Sequence, residues 1–349
     1  MLALANAFAA AGHPTHLVVQ EEGGPLEAVV SPGVELTYLN SGFRRGVPRL
    51  ALLLRRWGVR GVLLAHDRRC VPPAVAALLA GVPYVPTIHG LTGPDYPWGR
   101  GSPLRRRAFR LLATAVFRRA RAVVAVSESA ARSLRQSLAL PAGAVVVPPQ
   151  PVVFPELERA AEAPVDHPWF TQPDRPVIVT VCRLAPVKDL PNLVAAFALL
   201  RRVRLARLVI VGDGPEAPAL RRAIAEAGVG EDVLLTGFDL NPWRWVARSD
   251  VLAVSSLSEG MGCALIEAAF LGLPVVSTDC GGPRDVLESG RWGELVPPRN
   301  PALLAEAIAR ALDGGTAERS ARRAAMAQRY SLPAAFQAYR DILLGPQAR

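Results

Sequence analysis

Short apolar runs alternate with amphipathic segments along most of this chain. Ten runs of four to six residues are rich in Val, Leu and Ile, which is typical of strands buried on both faces of a sheet. They are 15–20, 34–39, 61–65, 84–88 and 122–126 in the first half, and 177–182, 207–211, 233–236, 251–254 and 274–277 in the second. Because helical patterns separate these runs, the sequence predicts an α/β fold with parallel sheets.

A proline-rich stretch divides this pattern in two. Residues 148–176 contain eight prolines and few helix or strand signals, so we expect a linker at 151–176. The flanking parts, 1–150 and 177–330, are predicted to be doubly wound domains that face each other across a cleft. Residues 331–349 are expected to form a last helix that packs back on the first domain. Ligands of such domains bind at the carboxyl ends of the strands.

The composition of the 349 residues is that of a globular protein, with 50% hydrophobic and 20% charged residues. No uninterrupted apolar run is long enough to span a bilayer. The four cysteines have no metal-ligand spacing, which favours a reducing cytoplasm. No Asp-x-Asp pair is present to hold a metal against a diphosphate. The sequence therefore predicts neither a metal site nor a bound cofactor.

The net charge of +10 lies in the first part of the chain. Through residue 165 there are 19 arginines against 10 acidic residues. The segment 100–121 has eight arginines interleaved with apolar residues and no acid, which is typical of a basic amphipathic helix. Such a helix either rests on an anionic membrane or packs by its apolar side with solvated arginines. We expect no nucleic acid as a partner, because no groove of basic and aromatic residues is recognisable.

Lys188 is the only lysine among 40 basic residues. It follows the predicted strand 177–182, and Arg183 leaves the same strand end. An ammonium and a guanidinium at that place suit the two phosphoryl groups of a diphosphate.

Two carboxylates, Glu259 and Glu267, are separated by a Gly-rich turn that opens an apolar helix. The first faces a pocket from a loop, and the second lies about two helical turns along the helix. Backbone N–H groups at the helix start suit a phosphate, and carboxylates accept hydrogen bonds from sugar hydroxyls. One short element is thus predicted to hold a phosphate, a ribose and a second sugar.

Two further turns follow predicted strands. Asp213, between Gly212 and Gly214, is a candidate helix cap. After the next strand come Gly237 and Phe238. The Phe238 ring is interpreted either as a partner for a nucleotide base or as a core residue.

These pieces together resemble the nucleotide-binding domain of retaining glycosyltransferase family 4, which has the GT-B fold. The match runs from 177 to 312 and is closest to a subgroup that builds bacterial surface polysaccharides and glycans. The resemblance implies that Arg183 and Lys188 neutralise the donor diphosphate, that Glu259 contacts the transferred sugar and that Glu267 binds the ribose. Further donor-binding positions are implied at Gly237, Phe238, Gly260, Met261, Gly262, Cys263 and Ala264. Catalysis in the family is independent of metals.

The first half resembles the family less closely. His89 follows a predicted strand at the place where the family has a histidine beside the reacting sugar, so the resemblance implies an acceptor-side catalytic group. Ser127 matches a family turn and is a candidate helix cap, with the Ser129 hydroxyl as the alternative.

Three departures from the family pattern stand out. The first strand and its Gly-rich loop should precede the helix at the start of the chain, so we expect a first domain without its first strand. Cys182 stands where the family usually has glycine, beside the phosphate site. The turn at Gly281, Gly282 and Pro283 is one residue shorter than usual.

The sequence therefore predicts a cytoplasmic hexosyltransferase, with an additional contact at the inner face of the membrane. It transfers a sugar from a UDP or GDP donor to a glycan or a polyprenyl-linked acceptor. A GT-B nucleotide-sugar epimerase or hydrolase, or an inactive truncated scaffold, is the alternative.

Overall fold

The computed structural model describes residues 1–349 apart from 25, 42, 67, 93–101, 315–317 and 346–349, with the backbone alone at 43, 44, 68 and 142. Arg100, the first residue of the predicted basic tract, lies outside the described residues. The chain divides into two compact units, Met1–Pro151 with Ser331–Arg349, and Val152–Tyr330. Each unit has its own parallel sheets and helices.

Among its described residues, the first unit contains six strands. They are β1 (Thr15–Val19), β2 (Val34–Tyr38), β3 (Val62–Ala65), β4 (Tyr84–Ile88), β5 (Val123–Ala125) and β6 (Val145–Val146). Its helices are α1 (Leu2–Ala10), α2 (Phe43–Arg56), α3 (Val71–Ala80), α4 (Pro103–Phe117), α5 (Glu128–Leu138) and, from the end of the chain, α15 (Leu332–Leu344).

These strands form two separate sheets. β1 pairs with β2, and β3, β4, β5 and β6 pair in that order, every pair being parallel. Within the described residues no strand pairs with β1 on its other side. Helix α15 packs against α1 and β4, and buries Tyr339 and Leu343 there. The Tyr339 hydroxyl donates to Gln150 at 3.1 Å, so the last helix is held by a buried hydrogen bond as well as by its apolar side.

The part of the second unit that the structure describes also contains six strands. They are β7 (Val177–Val181), β8 (Arg207–Val211), β9 (Val233–Gly237), β10 (Val251–Val254), β11 (Val275–Thr278) and β12 (Glu294–Val296). Its helices are α6 (Pro155–Ala161), α7 (Pro168–Thr171), α8 (Leu190–Arg201), α9 (Ala217–Glu226), α10 (Trp243–Val246), α11 (Cys263–Leu271), α12 (Gly282–Val286), α13 (Pro301–Asp313) and α14 (Arg319–Tyr330).

The strands of the second unit form one parallel sheet in the order β12, β11, β10, β7, β8, β9. Val, Leu and Ile fill the central strands, and most of these side chains have no solvent exposure, as expected for a sheet covered on both faces. Strands β7, β8 and β9 follow one another toward one edge of the sheet, whereas β10, β11 and β12 follow one another toward the opposite edge. The strands β7 and β10 are therefore neighbours, and their carboxyl ends meet at one edge.

The ten predicted strands are all present, each within one residue at either end, and the predicted α/β class with parallel sheets is confirmed. Two strands, β6 and β12, were not predicted. They have only two and three residues, and both are edge strands, so they are shorter than the runs of four to six residues that predicted the other strands.

Candidate functional site

Three loops meet at the carboxyl edge of the second unit's sheet. They follow the adjacent strands β7, β10 and β11, and comprise residues 182–189, 255–262 and 279–281. Because parallel strands all end at the same edge, side chains far apart in sequence come together here.

An ion pair joins the first two loops. The ammonium of Lys188 lies 2.5 Å from Oε1 of Glu259, and the Ser256 hydroxyl donates to the same oxygen at 2.6 Å. The two charged side chains are 22% and 14% exposed, so the pair is largely shielded but still reachable from solvent. Two of the predicted site residues are thus in direct contact.

Backbone hydrogen bonds fix the three loops to one another. Ser255 Oγ donates to the carbonyl of Lys188 at 2.8 Å, and Leu257 N donates to Val187 O at the same distance. On the other side, Glu259 N donates to Cys280 O at 3.2 Å and Gly282 N donates to Glu259 O at 2.9 Å. Glu259 is therefore held by its backbone on a frame made by both neighbouring loops.

The close approach of these loops requires glycine at Gly282. A Cβ atom built there would lie 2.5 Å from Gly260 O and 2.5 Å from the backbone of Met261. No side chain fits into that space. The short turn that the sequence marked as a departure from the family thus carries a glycine in direct contact with the Glu259 loop.

Helix α11 begins directly after Gly262, whose φ of 98° is a left-handed conformation that glycine adopts without strain. No side chain caps this helix, and the N–H groups of Cys263 and Ala264 have no acceptor among the described residues. Cys263 is exposed. An uncapped helix start of this kind favours an anion such as a phosphate.

Glu267 lies one turn further along α11 than Cys263. Burial raises the pKa of its carboxyl to about 7, and the nearby indole of Trp243 acts in the opposite direction. Glu267 is therefore ionised only in part at neutral pH. A carboxylate that is short of hydrogen-bond donors in this way gains when hydroxyl groups are brought to it.

Two thiols beside this site are kept protonated at neutral pH. Burial raises the pKa of Cys182 to about 11, and that of Cys280 likewise to about 11. Both thiols sense the charges of Lys188 and Glu259, which places them beside the ion pair. Cys182 consequently adds bulk but no charge where the family usually has glycine.

The other predicted site residues of this unit make fewer contacts. Arg183 is exposed and has no hydrogen bond or ion pair within the described residues. Gly237 ends β9 with a φ of 77°, and its carbonyl accepts from Gly212 N at 2.9 Å. Phe238 is 57% exposed, which excludes the core interpretation of its ring.

The interpretation of Asp213 as a helix cap is wrong. Its carboxylate accepts from the N–H of the next residue, Gly214, at 2.7 Å, and α9 begins only after Glu216. Gly214 approaches Leu184 so closely that a Cβ atom would lie 2.3 Å from its carbonyl oxygen. The turn at Asp213 and Gly214 thus contacts the backbone of the Leu184 loop, because Gly214 has no side chain to separate them.

In the first unit, His89 is an exposed residue directly after the buried end of β4. The neighbouring strand β3 is followed by His66, whose φ of 95° is left-handed and uncommon for a residue other than glycine. Ser127 caps α5 as predicted, since its hydroxyl accepts from Ala130 N at 3.1 Å.

The basic tract forms helix α4, which Ser102 caps. Its residues 103–112 are exposed on nearly every side, including Leu104 at 76% and Leu111 at 61%. Only the second half is anchored, through Ala113, Val116 and Phe117. The exposed arginines therefore share their surface with exposed leucines.

Two negative findings concern only the part of the chain that the structure describes. No cluster of three His, Cys, Asp or Glu side chains there has the arrangement to hold a metal ion. No helix there has the length and apolar character to cross a membrane.

Comparisons with known proteins identify the family of this chain. The family model "Glycosyltransferase Family 4" matches residues 1–153, and "Glycosyl transferases group 1" matches 175–314. The 2-deoxystreptamine glucosyltransferase of Streptomyces kanamyceticus is 30% identical over 311 residues, which cover 85% of this chain and 80% of that protein. This chain belongs to glycosyltransferase family 4.

A second relative of this glycosyltransferase is the alpha-D-kanosaminyltransferase of the same organism, 30% identical over 288 residues, or 75% of this chain and 70% of that one. The crystal structure of HepE from Anabaena with UDP and glucose has a TM-score of 0.80 at 19% identity, covering 98% of this chain and 95% of HepE. At that identity the likeness shows the GT-B fold alone. The predicted family and fold are confirmed, and the chain is a glycosyltransferase.

Sequence reasoning missed part of the site. Thr278 supports the frame by donating to Ser256 O at 2.6 Å, and Trp243 lies near Glu267. Neither residue stands in a motif, since a lone Thr at a strand end and a Trp after a proline are compatible with many structures. Only the burial of their polar atoms sets them apart.

Proposed function

We propose that this glycosyltransferase is a retaining enzyme that transfers a sugar from a UDP or GDP donor to a hydroxyl of a glycan or lipid-linked acceptor. The reaction would serve the assembly of bacterial surface polysaccharides or glycans. The observation that carries the proposal is the Lys188–Glu259 pair at the carboxyl edge of the sheet, beside the uncapped start of α11. This arrangement places one cation, several N–H donors and a carboxylate at a single edge.

Each charged side chain has a proposed role. Lys188 exchanges Glu259 for the donor diphosphate, and its charge stabilises the negative charge that develops on the leaving group. The guanidinium of Arg183, which is exposed at the same strand end, adds a second positive charge. The diphosphate thus receives two protein cations, and the proposal includes no metal ion or cofactor.

The two carboxylates divide the sugars between them. Once Lys188 turns to the diphosphate, Glu259 accepts hydrogen bonds from hydroxyls of the transferred sugar. Glu267, deeper on α11, accepts from the ribose. Gly237 and Phe238 lie at the end of β9, where the exposed ring is available to a nucleotide base. The backbone of 260–264 supplies the phosphate contacts, and His89 serves the acceptor.

The acceptor proposal follows from charge. The first unit has 20 arginines against 8 acidic residues, a net charge of +12, whereas the second has 20 basic against 22 acidic residues. Relatives are named for 2-deoxystreptamine as an acceptor, which is an amine and carries positive charge near neutral pH. A strongly basic unit repels such a molecule and attracts a phosphate-bearing lipid acceptor.

We further propose that the first unit rests on an anionic bilayer at the inner face of the cytoplasmic membrane. Helix α2 packs against α3, and α3 against α4. These three helices expose six leucines and eight arginines, here termed the Leu/Arg face: Leu52, Leu78, Leu79, Leu104, Leu111, Leu112, Arg45, Arg49, Arg55, Arg56, Arg105, Arg106, Arg107 and Arg110. Leucines that enter the headgroup region and arginines that pair with lipid phosphates suit such a surface.

The deciding experiment is a screen of nucleotides and nucleotide sugars for protection against thermal unfolding, followed by turnover with the donors that bind. A UDP or GDP series that protects the protein, with sugar transfer and an unchanged anomeric configuration of the product by NMR, supports the proposal. Release of free sugar or an altered nucleotide sugar without transfer would favour the hydrolase or epimerase alternative. Donor binding without any turnover would favour the scaffold. Protection by a short oligonucleotide, and by no nucleotide sugar, would contradict the proposal.

A further inference from the structure

Trp243 carries a buried polar atom that the proposed roles leave unused. Its indole Nε1 has no solvent exposure and no hydrogen bond of ordinary geometry within the described residues. Buried N–H groups without an acceptor are rare, because each has lost its hydrogen bonds to water. An acceptor for this one is therefore expected close by.

The surroundings hold the Trp243 ring in place. The ring packs edge-on against Phe154, with centroids 5.3 Å apart. The carboxylate of Asp239 fixes the short helix α10 around it, accepting from Trp245 Nε1 at 2.7 Å and from Arg244 Nη2 at 2.8 Å. Asn241 Nδ2 ties the preceding loop to Ala160 O at 2.7 Å. With its neighbours fixed in this way, the indole N–H keeps one direction.

Glu267, on the neighbouring helix α11, is the carboxyl group that this indole affects. Helix α10 packs against α11, and the Trp243 indole is near enough to act on the Glu267 carboxyl. No ordinary hydrogen bond joins the two groups, yet catalytic and binding contacts are often long before a ligand tightens them.

Other charged groups on the elements around α11 have partners of their own. Arg244 of α10 pairs with Asp239, Arg323 of α14 with Glu158, and Arg284 of α12 with Asp279. The remaining arginines of α14 donate to backbone carbonyls: Arg319 to Leu271, Arg322 to Leu273, and Arg329 to Val286 and Asp285. Strands β10 and β11 carry no charged residue, and on α11 itself the only other titratable group is the Cys263 thiol.

We propose that Trp243 is a positioning residue for Glu267, whose indole N–H supports one carboxylate oxygen from the protein side while the other oxygen accepts from a donor hydroxyl. This inference rests on the proposed function, since it assigns the hydroxyl to the ribose of a nucleoside diphosphate. It also predicts that the N–H favours the ionised carboxylate, which accepts hydrogen bonds more strongly than the neutral acid.

The test is the pH dependence of nucleotide affinity in Trp243→Phe. The substitution removes the N–H and keeps an aromatic ring. Burial already raises the pKa of Glu267 to about 7, and loss of the indole raises it further. UDP or GDP affinity should therefore fall by roughly tenfold at a pH near 6.5 and by less than about threefold near pH 8.5, the size expected for one hydrogen bond to a charged group.

A second comparison uses the ribose. Wild type should bind the 2′- or 3′-deoxynucleoside diphosphate more weakly than the parent, and both Trp243→Phe and Glu267→Gln should reduce that preference. Trp292→Phe is the matched control, because its Nε1 is also buried without an acceptor but it lies on the loop before β12. If Trp243→Phe unfolds, β-(3-benzothienyl)alanine at position 243 keeps the bicyclic shape without the N–H.

The outcomes separate this inference from the proposed function. A pH-dependent loss in the position-243 variants, absent from Trp292→Phe, supports the positioning role. A loss of equal size at both pH values, or no loss at all, overturns it and leaves the donor site standing. If wild type itself binds neither UDP nor GDP, the proposed function fails first.

Discussion

The Lys188 ammonium and the Glu259 carboxylate meet at 2.5 Å, although 71 residues separate them in the sequence. Their loops follow two neighbouring strands, β7 and β10, and are tied to each other through Ser255 and Leu257. The order of the strands in the sheet therefore brings the two residues together. Because the two charges neutralise each other, a cation can be kept partly buried until a diphosphate takes its place.

Lys188→Ala should destabilise the fold, because Glu259 would keep its burial and lose its cation. We expect the free energy of unfolding to fall by about 1 to 3 kcal/mol. Adding Glu259→Gln should recover part of that loss. Denaturant unfolding of wild type, both single variants and the double variant measures this coupling. Strictly additive effects would mean that the two charges do not interact in solution.

The same Lys188→Ala variant should bind a nucleoside diphosphate about ten- to a hundredfold more weakly, which is the value of one charge-assisted contact. Binding of the nucleoside alone should change little, since it carries no phosphate. Calorimetry with both ligands makes the comparison. Equal affinity of variant and wild type for the diphosphate would contradict the proposed contact between Lys188 and the diphosphate.

Substitutions of the two carboxylates should weaken the binding of different ligands. Glu267→Ala is expected to weaken the free nucleotide and the nucleotide sugar alike, by roughly tenfold, because both contain ribose. Glu259→Ala should spare the free nucleotide and weaken only the sugar-bearing donor. Thermal-shift titrations with the two ligands check this, and a pattern in which both variants lose both ligands equally would contradict the assignment.

Glu267 should also give the fold a dependence on pH. Burial raises its pKa to about 7 from an ordinary value of 4.5, so the unfolded chain releases the proton first. The free energy of unfolding then falls as the pH rises from about 4.5 to about 7, and stays lower above that range. Glu267→Gln cannot ionise, and should be more stable than wild type near pH 8 by about 3 kcal/mol, with no gain near pH 4.

The control for this effect is Glu226→Gln, at an exposed position on α9. Urea unfolding at both pH values decides the matter. A Glu267→Gln advantage that is the same at acid and alkaline pH would show that ionisation is not its cause.

The sequence predicted the strands well because apolar runs report directly on burial in a parallel sheet. It also marked Lys188 and Glu259 as candidate site residues, each separately. Their contact was not predictable, because it depends on hydrogen bonds between loops, such as Ser255 Oγ to Lys188 O, that leave no pattern in the sequence. The state of Glu267 is a similar case, since its pKa depends on what α10 and α11 bury together.

Gly282→Ala should disturb the Glu259 loop without touching any charged group. The new methyl would lie 2.5 Å from Gly260 O, so the loop must move or the variant must lose about 1 to 3 kcal/mol of stability. Gly230→Ala is the control, because a Cβ there meets nothing within 4 Å. The free energy of unfolding and the affinity for the nucleotide sugar should both fall in Gly282→Ala. Neither should change in Gly230→Ala. A fully active, stable Gly282→Ala would show that the two loops do not need this contact.

The Leu/Arg face should bind anionic vesicles through charge. Replacing Arg105, Arg106 and Arg107 by Gln removes three exposed charges, each worth about 1 kcal/mol near such a surface, so partitioning should fall by orders of magnitude at low salt.

Arg202, Arg221 and Arg222 are exposed in the second unit, and the triple Gln variant there makes the same change in net charge. Co-sedimentation with phosphatidylglycerol vesicles and with neutral phosphatidylcholine vesicles compares them. Binding should be lost only in the first variant, only on the anionic lipid, and less visibly as salt screens the wild type too. If both triple variants lose binding equally, overall charge rather than this face attracts the membrane, and if wild type ignores anionic vesicles the membrane proposal falls.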